Sequence, residues 1–167
     1  MLDKLLLLFN GLPEELITVI VAALPVSELR GALPLALLTF EMPILKAFLL
    51  SVLGNLIPVI PILLFLEPVS EKLRHFNLWR RFFDRLFERT KRKAHLVEKY
   101  EALGLVLFVA IPLPITGAWT GCIAASLFKV RFRYAFLAVA LGVVFAGLIV
   151  TVLSLVGEGI FHNFISP

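Results

Sequence analysis

Apolar residues dominate this chain, but they are interrupted in two different ways, and the interruptions predict its elements. Two stretches are long enough to cross a bilayer, which takes about 20 apolar residues in a helix. One runs from about Pro43 to Leu66, with Lys46 close enough to its start to snorkel and Pro58 and Pro61 placed to bend its second half. The other runs from about Tyr134 to Val156 without a charge. Two further apolar regions are broken in the middle. In the first, at about 13–40, the break is Pro25-Val26-Ser27-Glu28-Leu29-Arg30-Gly31, followed by Pro34. In the second, at about 102–128, it is Pro112-Leu113-Pro114-Ile115-Thr116-Gly117. Each flanking piece has roughly half the length that a span requires, so both regions are expected to be helical hairpins that enter the membrane, turn at mid-depth and leave on the same side. The alternative is that a broken region crosses completely.

Composition makes lipid the expected solvent: 60% of residues are hydrophobic, 17% are charged, and mean hydropathy is +0.97. The net charge of +4 is unevenly spread, because ten of the sixteen Lys and Arg residues fall between 67 and 101. Within that segment Phe76, Trp79, Phe83 and Leu86 recur at helical spacing opposite arginines. This predicts an interfacial amphipathic helix over about 73–90 that binds membrane lipids. Basic loops favour the cytoplasmic side, so residues 67–101 and Lys129-Val130-Arg131-Phe132-Arg133 are placed inside, and the acidic turn Phe40-Glu41-Met42-Pro43 and both termini outside. The same rule accounts for Thr90-Lys91-Arg92-Lys93, and no nucleic-acid partner is expected. Met1 to Phe9 lacks a small-residue cleavage site after its leucines and reads as mature protein. Cys122 is the single cysteine and reads as a packing residue.

The halves repeat. A shift of 88 residues brings Phe40 onto Phe128, Ala47-Phe48-Leu49 onto Ala135-Phe136-Leu137, and Leu53-Gly54 onto Leu141-Gly142. A shift of 89 brings Pro25-Val26-Ser27 onto Pro114-Ile115-Thr116. The predicted fold is therefore an all-α integral membrane protein with an inverted repeat of re-entrant hairpin plus transmembrane helix. The first repeat covers 1–66, the basic linker 67–101 and the second repeat 102–167.

Ser27 and Thr116 each precede a short apolar helix and are expected to cap its N-terminus. Two such N-termini meeting near mid-membrane would favour an anion. Glu28 and Arg30 are the ionisable residues at the centre of a broken region, where a charge costs about 2.5 to 3.5 kcal/mol. In an extended break the two would lie on one side and could close as a structural ion pair. In a helix, residues two apart do not face one another, and each then needs a partner elsewhere, such as Thr116, Thr120 or a substrate. Arg30 is the candidate anion ligand and Glu28 the candidate proton carrier. Trp119 and Thr120, beside Gly117 and Gly121, are candidates for lining a substrate path. Paired aspartates, a Ser-His pair at depth and metal-ligand spacings of His75, His95 and His162 are all missing, so neither an enzyme, a metal site nor a cofactor is expected.

The segments Ser27-Glu28-Leu29-Arg30-Gly31-Ala32-Leu33-Pro34 and Pro112-Leu113-Pro114-Ile115-Thr116-Gly117-Ala118-Trp119-Thr120-Gly121 resemble the small multidrug export family. That family is distantly similar to the DedA, or SNARE-associated Golgi, superfamily. The resemblance implies a multi-pass protein of a prokaryotic cytoplasmic membrane with two re-entrant hairpins. For DedA relatives it also implies flipping of lipids such as polyprenyl phosphate. Typical DedA proteins carry arginines around the second hairpin's proline, whereas here Val109, Ala110, Ile111, Leu113 and Ile115 stand there, and Arg131 and Arg133 lie at the membrane edge. The expected function is a transporter or lipid flippase for an anionic or amphiphilic substrate, proton-coupled and working as a homodimer. The alternatives are a small-molecule or multidrug exporter and a non-transporting membrane scaffold.

Overall fold

The computed structural model of the chain describes residues 11–73, 88, 95–112 and 116–165, all of it helix and connecting turns. The amphipathic helix expected over 73–90 falls almost wholly outside these residues, as does Pro114.

The first half contains α1 (Glu14–Ala23), α2 (Glu28–Pro34), α3 (Ile44–Leu56) and α4 (Val59–Leu73). The second contains α5 (His95–Ala110), α6 (Ala118–Leu127) and α7 (Phe132–Ile165). Proline sets several of these boundaries because it donates no backbone hydrogen bond. Pro58 separates α3 from α4, and the two together still form one apolar stretch, Ile44–Leu66, long enough to cross a membrane. Pro34 ends α2 and hands the chain to a five-residue π-helical stretch, Leu35–Thr39, the wider winding that accommodates a missing ladder bond. Two of the elements outrun the sequence expectation. α7 carries an apolar window over Phe132–Gly159 and continues to Ile165, with no proline to stop it before Pro167. α5 starts at His95, inside the stretch read as linker.

Each long apolar stretch is faced in the manner lipid requires. Leu45, Leu49, Leu53 and Ile57 project outward at helical spacing on the first, and Leu137, Leu141, Leu148 and Val152 on the second. The opposite faces bury small residues, including Ala47 and Ser51, and Ala135 and Ala138. Close packing of backbones, more than bulk hydrophobicity, joins helices in such a setting. Gly54 and Gly142, matched by the 88-residue shift, illustrate it. A Cβ on Gly54 would lie 2.6 Å from the Val19 carbonyl of α1, and one on Gly142 would lie 2.6 Å from Val109 of α5.

The first arm of each broken region thus packs on its own half's long helix, α1 on α3 and α5 on α7. The second arms cross over, α2 packing on α7 and α6 on α4. Lys46 in the first turn of α3 bonds Glu15 in the first turn of α1 at 2.6 Å. The first turns of α1 and α3 therefore lie side by side. Both second arms end alike, in a left-handed residue that closes the helix. These are Glu41 (φ 49) and Lys129 (φ 53), again 88 positions apart and opposite in charge.

Candidate functional site

The two breaks meet, and the first supplies the side chains that hold the second. Glu28 opens α2 with φ 48, a left-handed conformation that costs a residue with a side chain about 1 kcal/mol or more. Its carboxylate crosses to the start of α6, where Oε1 accepts the Trp119 N–H at 3.2 Å and the Ala118 N–H adds a second donor. A helix N-terminus is the place where a negative charge gains most from unpaired N–H groups and the helix dipole. Gly117 makes the approach possible. A Cβ there would lie 2.6 Å from the Glu28 carboxyl carbon.

Arg30, two residues on, reaches the other side of the same break. Its Nη2 donates to the Ile111 carbonyl at 3.2 Å and stands 3.5 Å from the Val109 carbonyl and 3.4 Å from Thr116 Oγ1. These carbonyls close the C-terminus of α5, where a cation is the favoured partner. Thus the acid sits on a helix N-terminus and the base on a helix C-terminus, each complementing the local dipole. The second half returns one contact, because Trp119 Nε1 donates to the Ala23 carbonyl at the C-terminus of α1 at 3.2 Å. The shift of 89 residues that aligns the breaks also pairs Arg30 with Trp119 and Glu28 with Gly117. Matched positions therefore face one another or perform matched tasks.

The expected hydroxyl caps are replaced. Ser27 precedes α2, but its backbone is already helical and its Oγ donates back to the Val21 carbonyl at 2.6 Å. Thr116 Oγ1 donates to the Ile111 carbonyl at 3.0 Å, Gly117 takes the N-cap position of α6, and the Gly117 N–H donates to Thr120 Oγ1 at 2.9 Å. A carboxylate delivered from the other half is a stronger acceptor than either hydroxyl. It also fills the place proposed for an external anion at the α6 N-terminus.

The other sequence candidates fall around this junction or away from it. Pro25 is exposed in the first break, Gly31 lies within α2, and Pro112 follows the end of α5. Gly121 lets α6 approach Val109. Arg131 and Arg133 are exposed at the start of α7 and are absent from the bonds that hold the breaks. Among the described residues, no group of three or more His, Cys, Asp or Glu side chains is placed to hold a metal.

Sequence reasoning missed Ser51 and Asn55. Both lie on the buried face of α3, at 0% and 3% exposure, and Ser51 Oγ and Asn55 Oδ1 have no hydrogen-bond partner. Asn55 lines a cavity with Glu28, Arg30, Gly117 and Val143, the last being its own counterpart at the 88-residue shift. The cavity measures about 10 Å³, room for about one water. The signal was two polar side chains at i, i+4 inside an apolar span, a pattern that marks one helix face as inward.

A family model described as "Putative small multi-drug export protein" matches residues 28–149, most of the chain and all of the junction except its first contacts on α1. The chain matches no curated protein and no solved structure.

Proposed function

Because this chain belongs to the small multi-drug export family, we propose that it is a membrane exporter of small amphiphilic molecules, exchanged for protons at Glu28. The observation that carries this reading is the junction itself. A buried acidic side chain is held in strained backbone at the meeting point of two helix breaks, and strain of this kind concentrates where a structure must switch. The cavity beside it admits about one water, so the conformation described is closed to a substrate. Opening would part Glu28 from α6, Arg30 from the end of α5, and Trp119 from the end of α1.

In this reading the broken regions are re-entrant hairpins of an inverted repeat. Supporting it, α1 and α6 have ten residues each, about 15 Å of helix and half of the hydrocarbon thickness. At the first tip Val26 is 96% exposed, as suits a side chain that meets lipid. Two rigid halves joined by reciprocal contacts can rock about a fixed midplane site.

The test is efflux of ethidium from proteoliposomes driven by a pH gradient. Wild type should empty the vesicles, while Glu28→Gln should abolish efflux and keep a folded, monodisperse protein. Equal rates for the two overturn the proposal. The lipid-moving alternative needs the Glu28 carboxylate to leave the α6 N-terminus before a phosphate can take its place. Polyprenyl phosphate transfer above protein-free vesicles, lost in Arg30→Ala, would favour that alternative.

A further inference from the structure

A second site lies at the membrane edge, apart from the junction. Ser126 near the end of α6, the turn Lys129-Val130-Arg131, Phe132 at the start of α7 and Leu63 of α4 line an open cavity of about 320 Å³. That volume falls in the range of ligand sites, about 300 to 1,000 Å³, whereas the junction cavity holds little more than a water.

The wall divides by chemistry. Leu63, near the end of the first apolar stretch at Leu66, is half-buried against the core, and Phe132, the first residue of the second, is exposed, so the apolar lining comes from the ends of both stretches. Lys129 and Arg131, both exposed, and the half-buried Ser126 supply its polar lining. The left-handed backbone of Lys129 turns the chain sharply, with the Val130 N–H returning to the Ala125 carbonyl at 2.9 Å. That turn holds the two cations on a closed loop. The first amides of α7 add partial positive charge beside them. Arg133 belongs to the same basic loop and is not among the residues that line the cavity.

We propose that this cavity binds the phosphate-bearing headgroup of an anionic membrane lipid. The phosphate would sit between Lys129 and Arg131, and the chains would run beside Leu63 and Phe132. Two cations at the polar end and an apolar wall at the membrane end fit an amphiphile better than a free ion. The site is independent of the transport reading, so either can fail alone.

The experiment is a binding titration of the full-length protein in neutral detergent with short-chain phosphatidylglycerol. Phosphatidylcholine of the same chain length and inorganic phosphate form the other two arms. Phosphatidylglycerol should bind at least tenfold more tightly than phosphatidylcholine. Lys129→Gln with Arg131→Gln should abolish that preference, and Arg133→Gln should leave it. Ser126→Leu keeps every charge but fills the cavity, and should also weaken binding tenfold. Thermal melting confirms that each variant is folded. Equal binding of the two lipids, or full affinity in Ser126→Leu, overturns the proposal. So does an Arg133→Gln loss equal to that of the double variant, which would mean diffuse surface charge. Inorganic phosphate competing at the lipid's own affinity would replace the lipid with a free anion.

Discussion

The two breaks align at a shift of 89 residues but have opposite chemistry. The first break contributes side chains, Glu28 and Arg30, while the second contributes backbone: two N–H groups at the start of α6, the carbonyls that end α5, and the bare Cα of Gly117. The asymmetry follows from the contact of matched positions. Where Glu28 meets its counterpart at 117, only one of the two can carry a side chain. A second carboxylate there would add a like charge at close range in a poorly solvated place. One half has become the plug and the other the socket.

The harshest way to break this arrangement is to fill the socket. Gly117→Val should expel the Glu28 carboxylate and leave a buried charge without its donors, costing about 3 to 5 kcal/mol. Loss of monodisperse protein after detergent extraction would register it; wild-type yield and melting temperature would mean the carboxylate has another home.

Removing the plug is milder. Glu28→Ala leaves the Trp119 and Ala118 N–H groups unpaired, a loss of about 1 to 3 kcal/mol in thermal melts. Glu28→Gly should be less damaging than Glu28→Ala by about 0.5 to 1 kcal/mol, because glycine adopts φ 48 without strain. The reverse order would contradict the strained backbone.

The contact made in return is smaller still. Trp119→Phe keeps an aromatic side chain but loses part of the indole's volume and the donor to the Ala23 carbonyl, and should cost about 1 to 2 kcal/mol. If Arg30→Met and Trp119→Phe were fully additive in a double-mutant cycle, the two contacts would be independent bonds and not one junction.

At the far end of the scale is the exposed pair Glu15 and Lys46, which contrasts with the buried acid. The hydrogen bond from Lys46 holds the Glu15 carboxyl below its ordinary range, helped by its own backbone N–H and the lysine charge. A lowered carboxyl pKa stabilises the fold above the ordinary carboxylate range, and this contribution disappears as pH falls through the lowered value. Melting temperatures of wild type and Lys46→Gln should therefore differ slightly near neutrality and converge in acid. A gap that widens in acid would contradict the assignment. Salt should shrink the neutral difference, as for any exposed pair.

Sequence alone determined the elements whose causes are local. The proline-bounded breaks and the two long apolar stretches follow from residue type and spacing. Glu28 and Arg30 were conspicuous for the same reason, since charge in an apolar run is visible without coordinates. Only the tertiary structure decided what those charges do. Local propensity assigns an N-cap to the nearest hydroxyl, yet α6 is capped from 91 positions away, and Ser27 and Thr116 turn to carbonyls instead. The inward role of Asn55 likewise depends on which helices close over it. A helix end satisfies its unpaired groups with the strongest partner that packing brings within reach, and that partner is set by how the halves dock, not by which residue comes next in the chain.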